Sequence, residues 1–207
     1  MNDLIILVPD RNMEYTIRAL LTRTRSLRIR PVSVEVHTHP GHDPGCFVDG
    51  PDFLRFAVNQ ARYVLIMLDY EGSGQDHQLS RQAMEQDLRT RLEVAGWADR
   101  AEAIVIDPEL DVWIWSNSPH VDVVLGWTGR IPDLRTWLTQ QGYLTADSSK
   151  PRRPKEALLA SIRVSGKSRT SKLYSDIAEK VTLKECSDKA FLKLKQVLST
   201  WFGMPTQ

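Results

Sequence analysis

The chain has 207 residues, long enough for one or two domains with a full core. At 42% hydrophobic and 26% charged it has the composition of a folded globular protein, which excludes a disordered chain. No apolar run approaches the roughly 20 residues of a membrane span, and the first residues lack the charged-then-apolar layout of a signal peptide. Cys46 and Cys186, far apart and outside any CxxC spacing, read as free thiols in a reduced, cytoplasmic protein with no membrane partner.

The net charge of +1 hides a division. Residues 1–149 carry 14 Arg, no Lys and 21 acids, a balance of −7, whereas residues 150–207 carry 13 basic residues and 5 acids, a balance of +8. An acidic body followed by a basic segment suits metal on the first and a phosphate backbone on the second. The stretch Asp147–Pro154 reads as a linker. The expected organisation is therefore an α/β domain over 1–147 and a basic helical segment over 148–207 packed on it.

In chain order, Leu4–Val8 is a continuous apolar run ended by Pro9 and Asp10, as expected of a strand buried on both faces. Asp10 or Asn12 can cap the helix that follows. After Pro31, Val32, Val34 and Val36 alternate with polar residues, the pattern of a half-buried strand near an edge. His37–Cys46 is an unusual loop of three His, one Asp and one Cys among prolines and glycines. Its residue types suit zinc, but their order matches no structural zinc pattern, and a loop facing phosphate or supporting a site is the better reading. A short helix is expected over 52–61.

Tyr63–Asp69 is the longest apolar run, closing on Asp69, Glu71 and a glycine-rich turn. Strand side chains repeat every two residues, so Asp69 and Glu71 are expected on one side. Residues 78–97 read as a long helix, with Arg81–Glu85 and Arg89–Glu93 spaced to pair on its wet face. Ala103–Ile106 is a fourth strand, followed by Asp107-Pro108-Glu109. Strand–helix alternation of this kind predicts a mainly parallel four-stranded sheet flanked by helices. Short aromatic-rich helical pieces are expected over 110–115 and 121–127, an amphipathic helix over 132–141, and two closing helices over 171–181 and 188–202.

In a parallel sheet Asp10, Asp69, Glu71 and Glu109 fall at one edge, with Glu14 one helical turn beyond Asp10. Crowded carboxylates repel unless a cation neutralises them, and Mg²⁺ or Mn²⁺ is commonly held by one or two carboxylates with waters and phosphate oxygens.

A strand-ending acid after the first strand and Asp-x-Glu after the third resemble the Toprim arrangement. Val8-Pro9-Asp10-Arg11-Asn12-Met13-Glu14, Asp43-Pro44-Gly45-Cys46, Asp69-Tyr70-Glu71-Gly72-Ser73-Gly74, Pro108-Glu109-Leu110-Asp111-Val112-Trp113 and Ser116-Asn117-Ser118-Pro119-His120-Val121 are similar to segments of small Toprim-like proteins of the bacterial methylation-associated defence-system type. Lys150–Ala157 and Cys186, Phe191 and Trp201-Phe202 extend the similarity over nearly the whole chain.

The resemblance implies a Toprim/Rossmann-like sheet with a helical C-terminal extension in a bacterial antiphage component. It also implies an Mg²⁺- or Mn²⁺-dependent nuclease, with Asp69, Glu71 and Glu109 on the metal and Asp10 or Glu14 handling the proton. Arg152, Arg153, Lys155, Lys167 and Arg169 would then hold a DNA or RNA backbone. The chain departs from the Toprim pattern, with Asp10 where a Glu is usual and Glu71 in place of a second Asp. The departure favours an alternative, a non-catalytic Toprim-like subunit that binds a partner ATPase or nucleic acid, with Trp113, Trp115, Trp127 and Trp201 available to an interface. A phosphatase or nucleotide-processing enzyme on a Rossmann-like sheet is the third reading, weakened by the absence of a GxGxxG or Walker loop after the first strand.

Overall fold

The two longest apolar runs become the central strands of a four-stranded, all-parallel sheet in which the second strand of the chain lies at one edge, followed by the first, the third and the fourth. A computed structural model describes residues 1–145, 147–184 and 186–204. The strands are β1 (Asn2–Val8), β2 (Val34–Thr38), β3 (Ala61–Asp69) and β4 (Ala101–Ile106). Leu4, Ile6, Val8, Leu65 and Met67 face one core, and Ile5, Leu7, Val64, Ile66 and Leu68 face the other. Burial on both faces removes the need for polar alternation, which is why these strands read as unbroken hydrophobic runs. Edge strand β2 keeps its alternation and is only half-buried.

After β1, Asp10 caps α1 (Arg11–Thr22) by accepting the Met13 amide at 2.9 Å. Met13, Ile17 and Leu20 turn that helix onto the first core. A short α2 (Thr24–Leu27) leads into β2. The crossover from β2 to β3 lies on the opposite face. There the expected His37–Cys46 loop is in part helical, as α3 (His42–Val48), with Cys46 and Phe47 in the second core. The helix expected over 52–61 is α4 (Gly50–Phe53) followed by a 3-10 turn over Leu54–Ala57, and Ala61 already belongs to β3.

α5 (Arg81–Leu92), capped by Ser80, covers the same face between β3 and β4. Gly96 ends its irregular last turn at φ 104°, a left-handed conformation that glycine adopts without a Cβ clash. Arg81 and Glu85 are not on a wet face. Their side chains are 13% and 8% exposed, and they pair at 2.6 Å against edge strand β4. Glu85 accepts the Val105 amide at 3.1 Å, and Lys193 donates to the Ala103 carbonyl at 2.7 Å while lying 3.2 Å from Glu85 and 2.9 Å from Glu102. The open edge of β4 is thus closed by side chains, which keeps another strand from adding there. Arg89 reaches Glu102 at 3.5 Å instead of pairing with Glu93.

Beyond β4 come a 3-10 turn (Leu110–Trp113), α6 (His120–Leu125) and α7 (Leu134–Gln140). The basic segment forms three helices rather than two: α8 (Pro154–Ser165), α9 (Ser171–Lys180) and α10 (Lys189–Phe202). α8 begins at the last proline of the expected linker, where Pro at a helix start sacrifices no hydrogen bond. All three helices share the first core with the sheet.

The tryptophans fasten this segment to the body. Trp113 Nε1 donates to Asp188 at 2.9 Å, Trp115 Nε1 to the Pro154 carbonyl at 3.0 Å, and Trp127 Nε1 to the Ser161 carbonyl at 3.2 Å. Trp201 stacks on Tyr63 of β3 at 4.6 Å. Arg23, at the end of α1, donates to the Ala178 and Val181 carbonyls at 2.8 and 2.7 Å, closing the end of α9. No helix among the described residues is long and apolar enough to cross a membrane.

Candidate functional site

α1 leaves β1 toward one face, whereas the crossovers after β2 and β3 run over the other. The direction of winding therefore reverses between β1 and β3. In open α/β sheets ligands bind in the crevice beyond the carboxyl ends of the strands at such a reversal. Asp10 follows β1 and Asp69 ends β3, so these two acids flank the crevice.

Asp43, weighed in the sequence only within the His37–Cys46 loop, comes between them. The turn after β2 is tied to the end of β1 by the His39 amide donating to the Val8 carbonyl at 2.8 Å and by His42 Nδ1, 3.1 Å from the Pro9 carbonyl oxygen. His42 sits at φ 53°, and Asp43 follows it in the first turn of α3. There Asp43 Oδ1 accepts the Asp69 amide at 2.8 Å, while Asp69 Oδ1 accepts the Leu110 amide at 2.8 Å. The ends of β2, β3 and β4 are thereby laced together through two carboxylates. The usable signal was the glycine spacing. The ring of His39 lies against Gly41 and Gly45, and a Cβ built on Gly45 would fall 2.2 Å from His39 Nδ1.

That contact gives a direct expectation. Gly45→Ala should displace the His39 ring and tilt α3, costing about 1–3 kcal/mol as overpacked sites do. Thermal unfolding should show a lowered melting temperature.

Burial is the leading cause that lifts Asp69 well above the ordinary carboxylate range, and the charges of Asp43, Glu109 and Asp111 add to it. Asp43 is also raised, first by burial, and Asp10 contributes repulsion. Glu109 is raised by burial and by Asp111, partly offset by Lys155. Acids in this condition gain from a cation or a proton.

The remaining expected site residues are distributed differently. Glu71 lies on the exposed turn beyond β3. The strand ends at Asp69, so two-residue alternation does not carry on to Glu71. Glu14 pairs with Arg18 at 2.8 Å and borders the groove shared with Ser175 and Glu179. Glu109 is held by Lys155, with Nζ 3.3 Å away and the Lys155 amide donating at 3.2 Å. Asp111, only 2% exposed, accepts the Tyr174 hydroxyl at 2.8 Å and pairs with Arg169 at 3.2 Å. Lys155 and Arg169 thus neutralise the acids after β4, while Arg152, Arg153 and Lys167 are exposed.

The His37–Cys46 segment does not converge as a zinc set. Cys46 is buried in the second core with its thiol pushed far up by burial, and His39 Nδ1 accepts the Gly41 amide at 3.0 Å. Among the described residues, no group of three or more His, Cys, Asp or Glu side chains is arranged to hold a metal ion. What the crevice offers is a two-carboxylate donor set, Asp43 and Asp69, with Asp10 beside it. That chemistry fits Mg²⁺ or Mn²⁺, which complete their shells with waters and phosphate oxygens. No family model matches this chain, and no curated protein and no solved structure shows significant similarity to it.

Proposed function

We propose that the chain is a divalent-cation-dependent phosphodiester hydrolase, a nuclease of the Toprim-like kind acting in bacterial antiphage defence. The observation that carries the chemistry is the meeting of Asp43 and Asp69 at the reversal point of the sheet, joined through the Asp69 amide and both raised in pKa by burial and charge. The defence setting rests on the resemblance of the segments quoted above.

Asp69 and Asp43 would hold Mg²⁺ or Mn²⁺. When bound, such a cation neutralises the two carboxylates and polarises a phosphodiester oxygen. The Leu110 amide fixes the orientation of Asp69, and the Asp69 amide fixes that of Asp43. Asp10 lies close enough for its charge to raise Asp43, and it is the acid left to take a proton from an attacking water. Arg152, Arg153 and Lys167 would track a DNA or RNA backbone, with binding that weakens steeply as salt rises. Lys155 and Arg169 would instead hold Glu109 and Asp111 in place.

A second reading, the non-catalytic subunit that binds a partner ATPase or nucleic acid, is favoured by the neutralisation of Glu109 and Asp111. A plasmid-nicking assay of the full chain in Mn²⁺ separates the two. The first reading predicts nicking that is lost in Asp69→Asn. Absence of nicking by the wild type, with Mn²⁺ binding retained, selects the second.

A further inference from the structure

The loop after the 3-10 turn, Ser116-Asn117-Ser118-Pro119, has no part in the acid crevice. Two adjoining hollows open on either side of it, sharing Trp115, Asn117 and Ser118 in their walls. Their volumes are about 180 and 270 Å³. Ser118 is 6% exposed, and its Oγ has no hydrogen-bond partner among the described residues. A buried hydroxyl without a partner has given up its hydrogen bond to water and gained none in return. Such a group in the wall of a hollow marks a place where a ligand can supply the missing bond.

The wall is fastened from outside. Arg135 Nη1 donates to Asn117 Oδ1 at 3.0 Å, and the guanidinium also reaches the Ser149 carbonyl at 3.4 Å, joining α7, the loop and the segment before α8. The first hollow is lined by Ser116, Ser149, Ser187 and Lys150, with the Ser116 hydroxyl oxygen accepting the Ser118 amide at 3.3 Å. Hydroxyl donors around an ammonium suit a phosphate group. The second hollow is also lined by Asp122, an acceptor suited to sugar hydroxyls or amino groups, and by Asp133, whose oxygens already accept the Thr136 amide and hydroxyl. Trp115 borders both, offering an aromatic wall between the anion-seeking and donor-seeking ends.

We propose that these joined hollows bind a nucleoside phosphate, with the phosphate at Ser118 and Lys150 and the nucleoside reaching past Trp115 toward Asp122. This site is separate from the Asp43–Asp69 crevice and does not depend on its chemistry.

Calorimetric titration of the full chain with the four nucleoside 5′-monophosphates, with the nucleosides and with inorganic phosphate tests the assignment. At least one monophosphate should bind tenfold or more tightly than its nucleoside or inorganic phosphate. Lys150→Met should weaken it at least tenfold. Ser118→Ala should weaken it several-fold without lowering the melting temperature, and Asp69→Asn should leave it unchanged. The assignment is overturned if no monophosphate binds the wild type more tightly than inorganic phosphate. It is equally overturned if Ser118→Ala raises the melting temperature and leaves binding intact, since the hydroxyl would then be only a packing fault.

Discussion

Replacing Asp69 by Asn should stabilise the metal-free protein while abolishing its affinity for Mn²⁺. The amide keeps an oxygen to accept the Leu110 N–H, so the local hydrogen bond survives. What disappears is a buried negative charge that burial, Asp43, Glu109 and Asp111 all disfavour. A gain on the order of 1–2 kcal/mol is expected, which for a chain of this length raises the melting temperature by roughly 2–8 °C.

The pH dependence has a definite sign. Asp43, Asp69 and Glu109 all have folded-state pKa values above their unfolded ones. Their contribution to stability is complete below the ordinary carboxylate range and is lost as pH rises through the raised values. Wild-type stability in a chelator should therefore fall across that window, and the fall should be shallower in Asp69→Asn. Melting curves from pH 4 to 8 measure both effects. A destabilised Asp69→Asn would mean that the carboxylate charge supports the fold and that the crowding account is wrong.

Glu85→Ala should give the largest loss of stability, about 3–5 kcal/mol, because removing one member of a buried ion pair leaves its partner, Arg81, uncompensated, while Lys193 keeps Glu102 at 2.9 Å. It would leave Arg81 and Lys193 without their common carboxylate and the Val105 amide without its acceptor. Glu85→Gln should cost less, since the amide oxygen can still cap the Val105 N–H. Urea unfolding should show a lower midpoint for Ala than for Gln. The uncovered edge of β4 should also increase self-association in the Ala variant. A change within about 0.5 kcal/mol, the range of ordinary surface substitutions, would contradict this account.

The sheet was legible in the sequence because Leu4–Val8 and Tyr63–Leu68 are buried on both faces and need no alternation. Asp69 was legible because it directly follows such a run, and Asp10 because only Pro9 separates it from one. Asp43 was not, because its position depends on the His39 ring lying across Gly41 and Gly45 and on two bonds from the following turn to the end of β1. The glycine spacing is a local signal, but the two bonds to the end of β1 join distant parts of the chain and no local pattern encodes them. The Arg81–Glu85 pair shows the same limit. Spacing gave the pair, but only the neighbouring edge of β4 and Lys193 from α10 made it buried. α8 was hidden behind the prolines of Pro151–Pro154, which read as a linker although the last of them starts a helix.

The most direct measurement is a calorimetric titration of Mn²⁺ into wild type, Asp43→Asn and Glu71→Gln. A cation held by Asp43 and Asp69 predicts binding to the wild type, at least a tenfold loss in Asp43→Asn, and unchanged binding in Glu71→Gln, whose side chain is exposed on the turn beyond β3. Wild-type affinity retained in Asp43→Asn, or no binding by the wild type, would contradict a cation site at the crevice between β1 and β3.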